Sequence, residues 1–514
     1  MSRNRLIKGT IILSIAGITC RLLGFFYKIW LSRILAPPLL GQYQLIFPVY
    51  GICHTIFASS IITGISNLSA GLCKTRHPLY PLKVGLFFSL TLSFILGLVL
   101  FLFAKPISSM ILMEPSITDC LRILSLSFPF SAIYSCINGY YYGVQKALLP
   151  ALSQILEQLI RISFILIIPI LVDSNYEFGA KTAVFALVLG EITECIFSVL
   201  FLILTNKKNK TSAINTPTRF YSKEIHKKVG LPMIKYCYPL LLSRLLISLL
   251  VALEAVLIPV LLRSWGMDYN SSLTIYGILT GMALPFILFP NALTSSYNLL
   301  MLSEVSLAHA TNNKGKLMLG INISFAFSAV LGIVSSCIFL VFGRELGYII
   351  FNSKSAGILI STLSIICIFM YTSSVMSSIL NGLGQTKTTF INSVTSMITR
   401  IVLTCLLIPL IGLGGYIISL FFSDLLLCLL NIMAIKKHLI LEIDLHSVII
   451  KPAVNSITIT TCFYQIYIGL IKSFFSNSIP LIKSTILLGV CGICVLTILL
   501  TLIPLRKYNI NQSG

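Results

Sequence analysis

The chain has 514 residues, 56% of them hydrophobic and only 10% charged. A soluble domain carries roughly 25% charged residues, so this composition excludes a water-soluble protein and places the chain in lipid. Lys and Arg outnumber Asp and Glu by 37 to 15, a net charge of +22; cytoplasmic loops beside anionic headgroups account for that excess, and no nucleic-acid partner is needed.

Apolar runs fall near 9–35, 40–73, 82–104, 117–143, 151–172, 180–205, 233–262, 272–302, 317–342, 355–382, 388–411, 413–435, 447–471 and 481–504. They have the length of membrane helices, about 20 residues, and lack the ten-residue alternation of barrel strands. The expected fold class is an all-α polytopic membrane protein with about 14 transmembrane helices. The first run follows Arg3, Arg5 and Lys8 but continues far beyond a signal-peptide core, so it reads as a retained helix.

Within that first run, Thr10, Ser14, Gly17, Arg21, Gly24 and Lys28 recur at steps of four and three and share one helix face. Arg21 lies roughly 20 Å along the helix from Lys8, near mid-depth. A charge at a helix centre costs about 2.5–3.5 kcal/mol, so the two cations are expected to face the bundle interior. The fifth run carries a second stripe, Gln154, Glu157, Gln158 and Arg161, in which Glu157 and Arg161 can pair one turn apart. Glu191 and Glu194 follow in the sixth run.

The basic stretch 206–232 reads as a linker against headgroups, dividing an N-lobe of helices 1–6 (1–205) from a C-lobe of helices 7–12 (233–436). Residues 437–514 hold two appended helices. Beyond the linker, Arg244 and Ser248 mark the seventh run, Asn392, Ser396, Thr399 and Arg400 the eleventh, and Asp424 the twelfth. Pro48, Pro285 and Pro290 predict kinks. Arg33, Arg122 and Glu304 lie near enough to span ends to snorkel.

An internal repeat supports the two lobes. Asn138-Gly139 recurs at Asn381-Gly382, Arg161 and Pro169 at Arg400 and Pro409, and Glu191 at Asp424, all at offsets of about 240 residues. Two six-helix lobes in a pseudo-two-fold arrangement, plus two extra C-terminal helices, would produce this pattern. Counting loops by that topology places about 23 Lys/Arg on the side of the N-terminus and about 7 opposite, which predicts both termini in the cytoplasm. Cys491-x-x-Cys494 sits inside an apolar run without a partner pair and reads as packing; no metal site is expected.

The interior charges point to a central cavity for an anionic ligand. Arg21, Lys28, Arg161, Arg244 and Arg400 are its expected cations, with Glu157 and Gln154 beside them. Glu191, Glu194 and Asp424 are candidates for counter-ions to Arg161 and Arg400, or for a proton or Na⁺ site. For each arginine, a helix-stapling ion pair is the competing reading, strongest for Arg161 with Glu157 one turn away.

"CRLLGFFYKIWLSRILAPPLLGQYQLIFPVYG" (20–51) resembles the opening of the stage V sporulation protein B family, and "ALLPALSQILEQLIRI" (147–162) resembles its fourth-to-fifth span motif. "NGLGQTK" (381–387) resembles the second-lobe counterpart, while Ala36 stands where that family's pattern has a glycine nearby. The resemblance covers essentially the whole chain. It implies a polysaccharide-transport-type exporter related to lipid II flippases, working by alternating access on a lipid-linked, anionic cell-wall precursor in spore cortex formation. Arg21 matches a cavity arginine of those flippases by motif, and Arg244 by depth. The resemblance further implies no cofactor beyond a Na⁺ or H⁺ gradient or the membrane potential, membrane lipids and cell-wall synthesis proteins as partners, and a monomer. The rival is a cation-coupled multidrug antiporter of the same fold, which wants acids where the first span has Arg21 and Lys28. An enzyme is disfavoured, because the external loops are short and carry no catalytic cluster.

Overall fold

The computed structural model describes residues 3–72, 79–146, 148–171, 179–210, 222–291, 294, 297, 301, 304–306, 311, 314–437, 446–474, 485–487 and 489–498. Among these the secondary structure is helical, with no strand. In chain order the helices are α1 (Arg3–Ile34), α2 (Pro37–Gly71), α3 (Tyr80–Leu102), α4 (Pro115–Ser125), α5 (Phe128–Gly143), α6 (Leu148–Leu171), α7 (Ala180–Lys210) and α8 (Ser222–Ser264). They continue with α9 (Tyr269–Leu288), α10 (Lys314–Phe351), α11 (Lys354–Leu363), α12 (Ile366–Gly382), α13 (Thr386–Ile411), α14 (Leu413–Lys436), α15 (His446–Ile471) and α16 (Thr485–Ile498).

The all-α, multi-pass membrane architecture expected from composition is present. Ten of the described helices are long and apolar enough to cross a membrane, and two bent pairs, α4–α5 and α11–α12, bring the number to twelve. Helices α1 and α16 occupy the first and last apolar runs. Residues 211–221 of the basic linker and 499–514 lie outside the described residues, as do the side chains of Thr10, Ser14 and Pro169. The helices flanking the linker are longer than the apolar runs, ending at Lys210 and restarting at Ser222.

The bends have local causes. α4 and α5 meet at 49°, and Pro129 opens the second helix of the pair, where its missing N–H costs nothing. α11 and α12 meet at 58° without a proline; the carbonyl of Ser364, exposed by the break, accepts from Ser336 Oγ on α10 at 2.7 Å. Two π turns interrupt long helices, Thr55–Ser59 in α2 beyond Pro48 and Ile278–Ala283 in α9 directly before Pro285. After α9 the chain breaks at Pro290, and buried Tyr371 donates to the Ile287 carbonyl at 2.5 Å.

The chain forms two compact units, Met1–Arg263 with Met267–Gly277, and Ser264–Gly266 with Ile278–Gly514. The first has a core of Ile65, Leu82, Cys136, Ile137 and Leu149. The second is built on Ile321, Val375, Met376, Ile379 and Ile435. Outward faces carry apolar stripes, such as Phe87, Phe94, Leu98 and Leu102 on α3, which lipid would cover.

Close helix contacts rest on small residues, because lipid offers no hydrophobic drive to bring helices together. In the first unit α2 and α9 cross at Gly41 and Gly277, where a Cβ on either would enter the other helix's backbone. Nearby, Tyr269 and Ser116 donate to buried Glu114, and the Arg263 guanidinium lies 5.5 Å over the Tyr269 ring. These contacts tie the segment after α3 to the α8–α9 turn. Gly41→Leu is expected to destabilise the first unit by about 1–3 kcal/mol or more, as overpacking does. The check is the thermal unfolding midpoint of the purified protein; an unchanged midpoint would refute the crossing.

Candidate functional site

In the first unit the polar stripe of α6 meets α7. Arg161 Nη2 pairs with Glu157 Oε1 across one helical turn, both side chains mostly buried. Gly190 of α7 faces this pair, and a Cβ there would collide with the Arg161 side chain. The glycine therefore lets α7 lie against an ion pair. On the following turns of α7, Glu191 accepts from Tyr50 of α2 at 2.5 Å. Glu194 accepts from Asn138 Nδ2 of α5 at 3.1 Å and from Ser153 Oγ of α6 at 2.9 Å. Glu157, Glu191 and Glu194 are all buried, and each accepts from a different donor, Arg161, Tyr50, and Asn138 with Ser153.

Between these helices opens a cavity of about 390 Å³, with Cys20 of α1, Asn138 and Tyr142 of α5, Gln154 and Gln158 of α6, and Glu194 of α7 in its wall. That volume falls in the range of small-molecule sites, roughly 300–1,000 Å³. Glu157 also lines it, on the side of its arginine.

Of the small-residue stripe of α1, Gly24 faces α6: a Cβ there would stand 3.6 Å from Gln158 Oε1, whereas Gly17 has no neighbour that close. On the same helix Arg21 is exposed and Lys28 half-buried. Arg244 of α8 is engaged with α2. It donates to the Ser59 carbonyl at 2.5 Å, to Ser59 Oγ at 2.9 Å and to Thr63 Oγ1 at 3.1 Å. Its contact is the end of the π turn, where the i→i−4 pattern fails and carbonyls need outside donors. Ser89 Oγ serves the Phe57 carbonyl in the same turn at 2.5 Å, and Thr55 and Ser248 hydroxyls lie 2.9 Å apart.

The second unit holds a smaller counterpart. Arg400 Nη2 pairs with Asp424 Oδ1 at 2.9 Å and its Nε donates to Ser423 Oγ at 2.7 Å. One turn and more along, Asn392 Nδ2 donates to Asn431 Oδ1 at 3.0 Å, and Asn431 donates to Ser377 Oγ at 2.9 Å. The two arginines of the repeat are therefore both ion-paired, Arg161 within its own helix and Arg400 to the next one.

The charges set aside as snorkelling behave differently. Arg122 and Lys181 flank exposed Asp119, and Arg33 and Glu304 are exposed. Among the described residues no cluster of three or more His, Cys, Asp or Glu is arranged to hold a metal. Tyr50, Asn431 and Ser59 carry key contacts that spacing did not reveal. Each sits in an apolar or small-residue stretch, and its role comes from a helix distant in sequence.

Comparison with known proteins agrees with this architecture. A family model described as polysaccharide biosynthesis protein matches residues 6–287. Stage V sporulation protein B of Bacillus subtilis (strain 168) is 25% identical over 467 residues, 88% of each chain. Lipid II flippase MurJ of the same organism is 23% identical over 461 residues, 85% of this chain and 83% of its own. A solved structure of lipid II flippase MurJ in an inward closed conformation superposes with a TM-score of 0.70 at 15% identity, covering 96% of this chain and all of that one. The names of two of these relatives describe lipid II flippases, and none of these names describes an enzyme.

The Arg400–Asp424 pair sits with side chains 18% and 6% exposed, so removing one member leaves the other desolvated. Arg400→Ala is expected to cost about 3–5 kcal/mol, and the double variant Arg400→Leu/Asp424→Leu to recover most of it. Thermal unfolding of the three proteins in one detergent decides this; a double variant no better than the single would show that the pair is not the reason.

Proposed function

The chain belongs to the polysaccharide biosynthesis protein family, and from that membership we propose that it moves a lipid-linked, anionic cell-wall precursor or oligosaccharide across the cytoplasmic membrane by alternating access, in service of spore cortex peptidoglycan. The observation that carries the reading is α1 itself. This apolar helix bears Arg21 and Lys28 on its small-residue face and no acidic residue along its length. A cation in a membrane helix costs about 2.5–3.5 kcal/mol, a cost offset when an anionic ligand meets it. Guanidinium groups grip phosphate oxygens in pairs, which suits a polyprenyl diphosphate.

The similarity to a sporulation protein and to a lipid II flippase supports the substrate class. Buried Glu191, Glu194 and Asp424 are the groups through which a Na⁺ or H⁺ gradient would couple. The Lys/Arg imbalance supports cytoplasmic termini. A multidrug antiporter would bring organic cations past Arg21 and Lys28, which repel them.

In vesicles holding the purified protein and labelled lipid II, exposure of the lipid on the far leaflet is expected to depend on the protein. Arg21→Ala is expected to slow it at least tenfold while the unfolding midpoint stays put. Full flipping by that variant would remove the ligand role of α1. Cation export without lipid movement would replace the whole reading.

A further inference from the structure

Between α3 and α4 the chain runs through "FAKPISSMILME" (103–114), with one short helical turn, Ala104–Pro106, and one π turn, Ile107–Ile111. Ala104, Ser108 and Leu112 recur at steps of four and are buried, so they form the side held against the first unit. Phe103, Met110, Ile111 and Met113 are exposed, Met110 by 76%. The outward side therefore carries large apolar groups, the reverse of a loop washed by water.

The segment is fixed in that attitude from within. Ser108 Oγ donates to the Lys105 carbonyl at 2.9 Å and lies 2.6 Å from Thr118 Oγ1, and the Glu114 N–H donates to the Ser108 carbonyl at 2.8 Å. Glu114 is itself held by Ser116 and Tyr269. Met113 sits at φ 52°, a left-handed conformation that strains a methionine more than a glycine or asparagine. Water offers its exposed side chain no gain to offset that strain, whereas transfer into hydrocarbon does.

What covers this surface follows from where it begins. α3 starts beside the basic residues Lys74, Arg76 and Lys83 and turns Phe87, Phe94, Leu98 and Leu102 towards lipid. Its 23 residues cover roughly 34 Å, slightly more than a hydrocarbon core of about 30 Å. Leu102 thus reaches the far edge of the core, and exposed Phe103 carries the same apolar surface onward without a break. Exposed Lys105 follows, a cation at the level of the lipid phosphates.

We infer that Phe103–Met113 is a membrane-surface element seated in the leaflet opposite those basic residues. Phe103, Met110, Ile111 and Met113 enter the acyl chains, and Lys105 meets the phosphates. The occupant of this face is lipid and not a second protein chain. The element fixes the depth of α3 and holds the start of α4 down on the bilayer, a role independent of what the protein transports.

The test is hydroxyl-radical footprinting of the unsubstituted, full-length protein in nanodiscs holding one copy each, read by mass spectrometry. Met267 in the α8–α9 turn, half-buried and next to exposed Asp268, is the reference. By its exposure in the protein alone Met110 would oxidise faster than Met267. Lipid cover reverses that order, and Met110 is expected to react severalfold more slowly. Faster oxidation of Met110 places the segment in water and overturns the inference. A second measurement uses Met110→Trp, its emission taken as the difference from the unsubstituted protein. Brominated acyl chains are expected to quench that emission by half or more, and aqueous iodide to leave most of it. Quenching by iodide alone overturns the inference, and so does quenching by neither, which would mean that protein covers the position.

Discussion

Lipid supplies no hydrogen-bond partner, so every charge and irregular carbonyl inside this protein must find its counterpart within the protein. The ion pair of Arg161 with Glu157 and that of Arg400 with Asp424 follow from this constraint. So do the donors gathered on Glu191 and Glu194, and the service of the α2 π turn by Ser89 and Arg244. Glycines appear where such polar groups must pass close to another helix, as Gly190 does against Arg161.

Three of the interior arginines follow this rule. Arg161 and Arg400 are held by carboxylates and Arg244 by a helix irregularity, so much of their charge serves the fold. Arg21 and Lys28 stand on α1, whose own sequence contains no acidic residue. For Arg161 the helix-stapling reading and the ligand reading coexist, because an ion pair of i and i+4 residues forms without any ligand.

Much of this was legible in the chain itself. The apolar runs, the cationic stripe of α1, the Gln154–Arg161 stripe and the internal repeat are local patterns, set by helix periodicity and by the cost of charge in lipid. Glu157 with Arg161 could be paired from spacing alone, because both lie on one helix face. The repeat also offered Arg400 as a counter-ion for Asp424, and the two are paired. The partners of Glu191, Glu194 and Arg244 could not be read that way: Tyr50, Asn138 and Ser59 reach them from other helices, up to 185 residues away for Arg244 and Ser59. Helix packing carries no period in sequence, so the tertiary structure alone decided which charges were stapled, where the helices broke without proline, and that a polar cavity opens beside Asn138.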